Sequence, residues 1–299
     1  MMMICQFQRT IKKPITIEGI GLHSGDNVKI KLFPANKNEG INFIKNNVVI
    51  PAKIDYAHSF EYSTTLHKDG VSVRTIEHLM AALYFTGIDN IYIELIGEEL
   101  PILDGSSKGF VEKIKEAGIK TLNEEKLYAV LEEPVKVEIE DKFIMAKPSN
   151  EIKITYQANY NNDIIGNKSF TYIPYEKESY EGVYTARTYC FLEEVEYLKK
   201  NGLAKGGSLE NAVVLHNNQV INEEGLRFED EPVRHKVLDL IGDLYLLGYP
   251  LVAEVYSFKG GHRLNAMFVK TLVENSLFTI KPASEVLNFI PNYKEVLVG

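Results

Sequence analysis

A histidine and two aspartates at helical spacing are the residues of this chain best suited to chemistry. The segment His235-Lys-Val-Leu-Asp239-Leu-Ile-Gly-Asp243 places an ionisable side chain at every fourth position. Positions four apart share one face of a helix, so His235 and Asp239 could bind one metal ion. Carboxylates beside apolar residues are costly unless they are paired or metal-bound. A solvent-exposed polar face would give the same spacing, so spacing alone leaves both interpretations open.

A second candidate is the pair Glu77-His78, in the first turn of another predicted helix. Two metal ligands from one helix and a third from elsewhere are typical of a catalytic zinc site with an open position. The adjacent Glu77 carboxylate could then act as general base toward a water molecule. The alternative is that Glu77 is a first-turn acid that stabilises the helix dipole. The His-Glu-x-x-His pattern of common metallopeptidases is absent from the sequence.

A third candidate is His262, which follows two glycines in Lys259-Gly-Gly-His262. The glycines predict a tight, exposed loop end, which is a suitable place for a general acid. Asp243 could pair with His262 and raise the pKa of its imidazole, which would keep the ring protonated near neutral pH. The alternative is a surface histidine in a turn.

Apolar spacing predicts the elements that position the second candidate. Apolar residues at i, i+3, i+4 and i+7 predict a helix over residues 75–85. Thr75 is the predicted cap of this helix, and Gly87 is its predicted end. The mostly apolar residues 91–96 then predict a buried strand.

A matching helix and strand lie in the second half of the chain. Pro232 marks a predicted helix start, an apolar stripe runs over residues 233–247, and Gly248 marks the end. Residues 251–256 predict the next strand. The same order of elements therefore occurs twice.

The two helices align by the glycines that end them. His78 lies nine residues before Gly87, and Asp239 lies nine residues before Gly248. This alignment predicts an internal duplication, although any two amphipathic helices could be aligned in this way. If the helices pack about a pseudo-twofold axis, His78 and Asp239 converge on one site.

These units predict an α+β fold of two similar α/β sandwich domains related by pseudo-twofold duplication, with the helices packed at the centre and the sheets outside. A polar stretch at residues 123–126 places the boundary between an N-terminal domain, 1–124, and a C-terminal domain, 125–299. The length of 299 residues suits two domains of about 150 residues each.

Composition excludes several classes of protein. Lys and Arg total 33 against 41 Asp and Glu, a net charge of −8, which argues against general nucleic-acid binding. No apolar run approaches about 18 residues, so no transmembrane segment is expected. Gln6 and Gln8 interrupt the apolar start, so no signal peptide is predicted and we expect a cytoplasmic protein. Two distant cysteines, Cys5 and Cys190, do not indicate a disulfide framework.

Taken together, six motifs resemble the UDP-3-O-acyl-N-acetylglucosamine deacetylases, zinc enzymes that catalyse the committed step of lipid A synthesis. The resemblance runs in order from Gln8 to about Lys270, and its fold implies two similar α/β domains packed through their helices. The motifs lie at residues 75–83, 87–91, 101–106, 186–188, 235–243 and 260–262.

The resemblance implies a bound Zn²⁺ with His78, His235 and Asp239 as ligands. It also implies a small-molecule substrate, a UDP-acyl-glucosamine. We further expect a monomer.

The resemblance also assigns the acid–base groups by position. Glu77 matches the general base, and His262 matches the general acid that protonates the leaving amine. Asp243 matches the carboxylate that orients His262. Thr188 matches a hydroxyl that stabilises the tetrahedral oxyanion.

The substrate pocket follows from the same resemblance. Lys236 matches a lysine that reaches the sugar or the diphosphate, and Phe191 matches an aromatic residue beside the glucosamine ring. An acyl-chain insert is implied near residues 188–215, where apolar positions alternate with glycines; an ordinary surface helix and strand would fit the same residues. The remaining implied pocket residues are Ser63, Leu22, Val195, Ala204, Gly207 and Val214.

The sequence departs from the family pattern at three pocket positions. Tyr189 and Cys190 stand where Phe and a variable residue are typical, and Ser63 stands where Cys is frequent. These departures affect the shape of the pocket rather than its chemistry. Two other functions remain open: a zinc deacetylase for another N-acetyl sugar or a peptide, and a metal-stabilised binding protein without turnover.

Overall fold

Helices and strands are interspersed throughout residues 4–289, the part of the chain that this computed structural model describes. Six sheets and seven α-helices lie within this range, which confirms the α+β prediction. The outer ends of the two predicted domains, residues 1–3 and 290–299, lie outside the described residues. The domain boundary itself stays a prediction.

The strands are short, and several of them alternate buried with partly or fully exposed positions, as expected for sheets with one covered face. In chain order they are β1 (Phe7–Ile11), β2 (Ile15–Ile20), β3 (Asn27–Pro34), β4 (Ile41–Lys45), β5 (Val48–Pro51), β6 (Ala57–Ser59), β7 (Thr65–Lys68), β8 (Val71–Val73), β9 (Ile91–Ile96), β10 (Ile119–Glu125), β11 (Leu127–Leu131), β12 (Val135–Ile139), β13 (Lys142–Lys147), β14 (Lys153–Gln157), β15 (Ser169–Tyr172), β16 (Tyr189–Phe191), β17 (Val213–His216), β18 (Gln219–Val220), β19 (Leu251–Val252), β20 (Glu254–Phe258) and β21 (Phe278–Pro282).

The helices differ in how much of their surface is covered. Every residue of the first helix is buried, whereas the fourth buries only Leu198. The α-helices are α1 (Glu77–Thr86), α2 (Lys108–Ala117), α3 (Lys177–Tyr184), α4 (Leu192–Lys200), α5 (Glu231–Leu244), α6 (His262–Glu274) and α7 (Ala283–Val286), with 3₁₀ turns at Ile54–Tyr56, Tyr245–Leu247 and Leu287–Phe289.

Two five-stranded sheets share one topology. One has the order β2-β3-β9-β4-β5 and the other β12-β13-β20-β14-β15. In both, the third and fourth strands pair in parallel and the remaining neighbours pair antiparallel. A duplicated unit would produce this match, which supports the predicted duplication; the duplication itself stays a prediction.

Helices α1 and α5 pack against each other, one from each half of the chain. Both are buried on nearly all sides, which is the property of a helix that lies inside a fold rather than on its surface. They come close together at Gly242, where an added β-carbon would lie 2.2 Å from the main-chain oxygen of Glu77. The missing side chain at Gly242 therefore sets the distance between the two helices at the position of Glu77.

We expect Gly242→Ala to lower the free energy of unfolding by about 1–3 kcal/mol, because overpacking a tight core displaces backbone. The rate of any reaction that uses Glu77 should fall with it. Thermal unfolding and turnover measure the two effects. Gly109→Ala in α2 is the matched control, since its β-carbon would meet only the end of the flexible Leu103 side chain. An unfolding free energy equal to wild type in Gly242→Ala would contradict the packing argument.

Two predicted boundaries need correction. The cap of α1 is Ile76 rather than Thr75, because Thr75 has a φ of 59° and its hydroxyl donates to Glu99 instead of to the helix. Helix α5 ends at Leu244, and Gly248 ends the following 3₁₀ turn instead. The predicted ends at Gly87 and the start at Pro232 are confirmed.

The strand predicted over residues 251–256 is two strands. β19 pairs with β11, whereas β20 pairs with β13 and β14 in a different sheet. Ala253 separates them, and its carbonyl accepts a hydrogen bond from Lys153. The chain therefore changes sheets at this point.

The region of the predicted insert forms a small separate unit. β16, β17 and β18 make a three-stranded sheet, and α4 packs on β16 and β17. No helix among residues 4–289 is both long and apolar enough to cross a bilayer.

Candidate active site

Three predicted ligands meet between α1 and α5. Donor atoms of His78, His235 and Asp239 all lie within 4.8 Å of one another, and all three side chains are buried. Asp239 Oδ1 lies 3.2 Å from His235 Nε2 and 3.6 Å from His78 Nε2. The helical spacing of His235 and Asp239 and the packing of α1 on α5 explain this meeting.

The environment of Asp239 fits a metal ion. Among the described residues, its Oδ1 accepts no hydrogen bond of acceptable geometry although it is buried, while its Oδ2 accepts one from Lys236 at 2.7 Å. His235 Nδ1 lies 3.0 Å from the Ala186 carbonyl, so it donates there and leaves the Nε2 lone pair toward Asp239. A buried carboxylate oxygen beside two imidazole nitrogens is costly without a cation.

The charge states of these groups also suit a metal ion. Burial lowers the pKa of His78, so its ring is neutral at pH 7 and can offer a lone pair. Burial opposes ionisation of Asp239, but His235 and the Lys236 ammonium outweigh it and hold the pKa of Asp239 well below its usual range. The three residues form a group able to bind a metal ion.

Glu77 lies beside this group with its carboxylate buried. Its Oε2 accepts a hydrogen bond from the Thr64 main chain at 3.0 Å, and its Oε1 lies 3.8 Å from His262 Nε2. Burial raises the pKa of Glu77 to about 7, although the nearby His262 charge opposes the rise. A carboxyl group with this pKa can take up and release a proton near neutral pH.

His262 is not at an exposed loop end as predicted. It is the first residue of α6, and its side chain is only 11% exposed. Its Nδ1 donates to Asp243 Oδ2 at 2.8 Å, so Nε2 faces Glu77. Burial would lower the pKa of His262, but the Asp243 carboxylate outweighs it and raises the pKa to about 9. The ring is therefore protonated at neutral pH, as a general acid requires.

Asp243 is held by three donors. Besides His262, the Thr64 hydroxyl donates to Oδ1 at 2.6 Å and Asn265 Nδ2 donates to Oδ2 at 2.8 Å. The spacing of four residues between Asp239 and Asp243 predicted that both side chains lie on the same face of α5. Neither Thr64 nor Asn265 was predicted, because their bonds join residues far apart in the sequence.

Thr188 belongs to a segment that is anchored beside His235. The Thr188 main chain donates to the Gly105 carbonyl at 2.8 Å. The side chain of Arg187 is buried and binds Glu231, the first residue of α5, at 2.9 Å and 3.1 Å. This ion pair, which sequence reasoning missed, fixes the segment that carries Thr188 to the helix that carries two predicted ligands.

Aromatic rings lie next to Lys236. Its ammonium lies 5.9 Å from the Tyr189 ring centre, and the Tyr189 ring contacts Phe191 at 6.4 Å between centres. The ring centre of Tyr160 also lies 6.4 Å from that of Phe191. The structure thus brings Lys236 and Phe191 to one aromatic cluster beside Asp239.

The remaining predicted pocket residues fall into separate groups. The Leu22 carbonyl accepts from Gly206, and a β-carbon at Gly207 would lie 3.3 Å from Ala204 oxygen and 3.8 Å from Leu22 Cδ1. Val214 pairs with Cys190 across β16 and β17. Two lie elsewhere, namely Val195 on α4 and the buried Ser63 beside Thr64.

Comparison with known proteins gives one consistent result. A family model described as UDP-3-O-acyl N-acetylglycosamine deacetylase matches residues 8–274. The chain is similar to the UDP-3-O-acyl-N-acetylglucosamine deacetylase of Aquifex aeolicus, at 44% identity over 91% of this chain and 95% of that protein. The proteins of the same name from Aliarcobacter butzleri and Coxiella burnetii are 45% and 40% identical, over 90% and 94% of this chain and 90% and 93% of their own lengths.

Proposed function

This chain belongs to the UDP-3-O-acyl N-acetylglycosamine deacetylase family, and from that premise we propose that it hydrolyses the N-acetyl group of UDP-3-O-acyl-N-acetylglucosamine and releases acetate. In the family that the sequence motifs resemble, this reaction is the committed step of lipid A biosynthesis. The observation that carries the proposal is the pairing of Glu77 with His262, 3.8 Å apart, beside the three-residue metal group. Amide hydrolysis needs a base, an acid and a group that stabilises negative charge on oxygen.

The metal group His78, His235 and Asp239 suits zinc, which prefers nitrogen and carboxylate ligands in a tetrahedral set with one open position in catalytic sites. A zinc ion bound there would polarise the acetamide carbonyl and acidify a water molecule beside it. The buried, unbonded Asp239 Oδ1 is the feature of this chain that supports the assignment.

The acid–base work falls to two side chains. The Glu77 carboxylate takes the proton of the attacking water, and its buried position makes it a stronger base than an exposed glutamate. The protonated His262 then donates from Nε2 to the glucosamine nitrogen, which leaves as an amine. Asp243 holds the other ring nitrogen, so the ring presents Nε2 to the reaction.

The remaining residues bind and orient the substrate. The Thr188 hydroxyl donates to the oxyanion, and the Arg187–Glu231 ion pair holds its segment in place. Lys236 and Phe191 contact the sugar side of the substrate. The unit formed by α4 with β16, β17 and β18 receives the acyl chain of the substrate. If it does, a substrate with a shorter acyl chain should have a higher KM.

Acetate release from UDP-3-O-acyl-N-acetylglucosamine tests the function. We expect release by the purified protein, loss of release after chelation, and recovery on adding zinc. Metal content measured alongside activity separates loss of metal from unfolding. Absence of release under every condition would reject the proposed function, while release that survives complete metal removal would reject the metal's part in it.

The activity should fall at alkaline pH as His262 loses its proton. The pKa of about 9 sets the position of this limb, and a bound cation would move it to lower pH. Asp243→Asn removes the charge that raises the pKa of His262, so the alkaline limb should shift toward lower pH. The measurement is kcat/KM against pH. An alkaline limb at the same pH in both proteins would contradict the pairing.

A further inference from the structure

Thr64 makes hydrogen bonds to residues of both α1 and α5, the two helices that meet at the candidate active site. It lies between β6 and β7 in the N-terminal half, and it is fully buried. Its main-chain N–H donates to Glu77 Oε2 at 3.0 Å, and its hydroxyl donates to Asp243 Oδ1 at 2.6 Å. Its carbonyl accepts from Ile76, the cap of α1, at 3.3 Å. Two of its three polar groups therefore bind acid–base residues, and the third binds the residue that directly precedes Glu77.

The hydroxyl decides how Asp243 is oriented. A carboxylate has two oxygens, and Thr64 occupies Oδ1, which leaves Oδ2 for His262 Nδ1 at 2.8 Å. Thr64 Oγ1 also lies 3.4 Å from that same Nδ1, so it borders the ring directly. Asn265 donates to Oδ2 as well, at 2.8 Å, so Oδ1 is left to Thr64. Without the hydroxyl, a buried carboxylate oxygen has no donor, and the carboxylate must turn to recover one.

The geometry points to Thr64 as a positioning residue that fixes the general base and the general acid relative to each other across the α1–α5 contact. This inference rests on the proposed function. The main-chain bond fixes the Glu77 carboxylate, while the side-chain bond fixes Asp243 and through it the His262 ring. Because Glu77 and His262 act on the same amide group, their relative position determines the rate more than it determines substrate binding.

The test is Thr64→Val, which keeps the shape and both main-chain bonds but removes the hydroxyl. We expect kcat to fall about 10- to 100-fold, because small misplacement of a reacting group has effects of this size. KM should stay within about threefold of wild type, since Thr64 does not contact the substrate. Thr64→Ser restores the hydroxyl and should restore kcat to within about threefold.

Two controls separate positioning from general destabilisation. Thr65→Val is the same change one residue along, at a hydroxyl that makes no described hydrogen bond to Glu77, Asp243 or His262. It should leave kcat unchanged. In an Asp243→Ala background, Thr64→Val should have no further effect on kcat, because its acceptor is gone. If Thr64→Val does not fold, Thr64→Ala takes its place in the same comparisons.

The outcomes are distinct. A lack of acetate release by the wild-type protein rejects the proposed function. If the wild type is active and Thr64→Val leaves kcat unchanged, the positioning role alone is rejected. It is also rejected if the effects of the Thr64 and Asp243 substitutions on kcat multiply independently. A loss of kcat that Thr64→Ser does not restore also rejects it.

Discussion

Glu77→Gln should lower the rate of acetate release by at least about a hundredfold while the protein keeps its metal ion. The amide has the shape of the carboxylate and can still accept the Thr64 main-chain hydrogen bond, so the fold around it should persist. The glutamine amide, however, cannot take a proton from water at neutral pH. Glu77→Ala should lose as much, because the missing function is the same.

Steady-state kinetics and metal analysis on the same preparation measure this effect. Glu94→Gln is the matched control, since Glu94 lies partly exposed on β9, where it pairs with Lys31 at 3.4 Å. It should keep both rate and metal. Full activity in Glu77→Gln would exclude Glu77 as the base, and loss of metal would show that the residue supports the ligands rather than the proton transfer.

Asp239→Ala should remove the metal ion and, with it, the activity. The substitution takes away one of the three proposed ligands and removes the carboxylate that pairs with the Lys236 ammonium. Loss of groups that merely orient ligands typically weakens metal binding by 10–100-fold, so loss of a ligand should weaken it by more than about a hundredfold.

Binding of zinc to the metal-free protein, followed by calorimetry, measures this without reference to turnover. Asp230→Ala is a suitable control at the start of the same helix, where Asp230 pairs with Arg234 and makes no capping bond. It should bind zinc as the wild type does. Wild-type affinity in Asp239→Ala would contradict the assigned ligand set.

The sequence predicted those features whose causes are local. Spacing of four along α5 placed His235 and Asp239 on one face, and the structure brings their atoms within 3.2 Å. Gly87 ends α1 because it takes the left-handed conformation that glycine tolerates. Pro232 fits the first turn of α5 because its missing N–H costs nothing there. Each of these signals lies within a few residues of its effect.

Features set by distant contacts were missed. Thr75 looked like a helix cap, but its hydroxyl donates to Glu99, which also accepts the main-chain N–H groups of His23 and Ser24. His262 looked exposed because two glycines precede it, yet its bond to Asp243 buries it at the start of α6. Nothing near Thr64 in the sequence indicates its partners. Such bonds depend on which segments the fold brings together, and periodicity does not contain that information.

The origin of the three metal-group residues in two separate helices has a consequence for biosynthesis. His78 is on α1, whereas His235 and Asp239 are on α5, so a growing polypeptide cannot assemble the group until most of its length has left the ribosome. Capture of the ion should then be among the last steps of maturation. Because a ligand that binds only the native state contributes about 2.7 kcal/mol at a hundred times its dissociation constant, binding of the proposed ion would stabilise newly folded protein against unfolding.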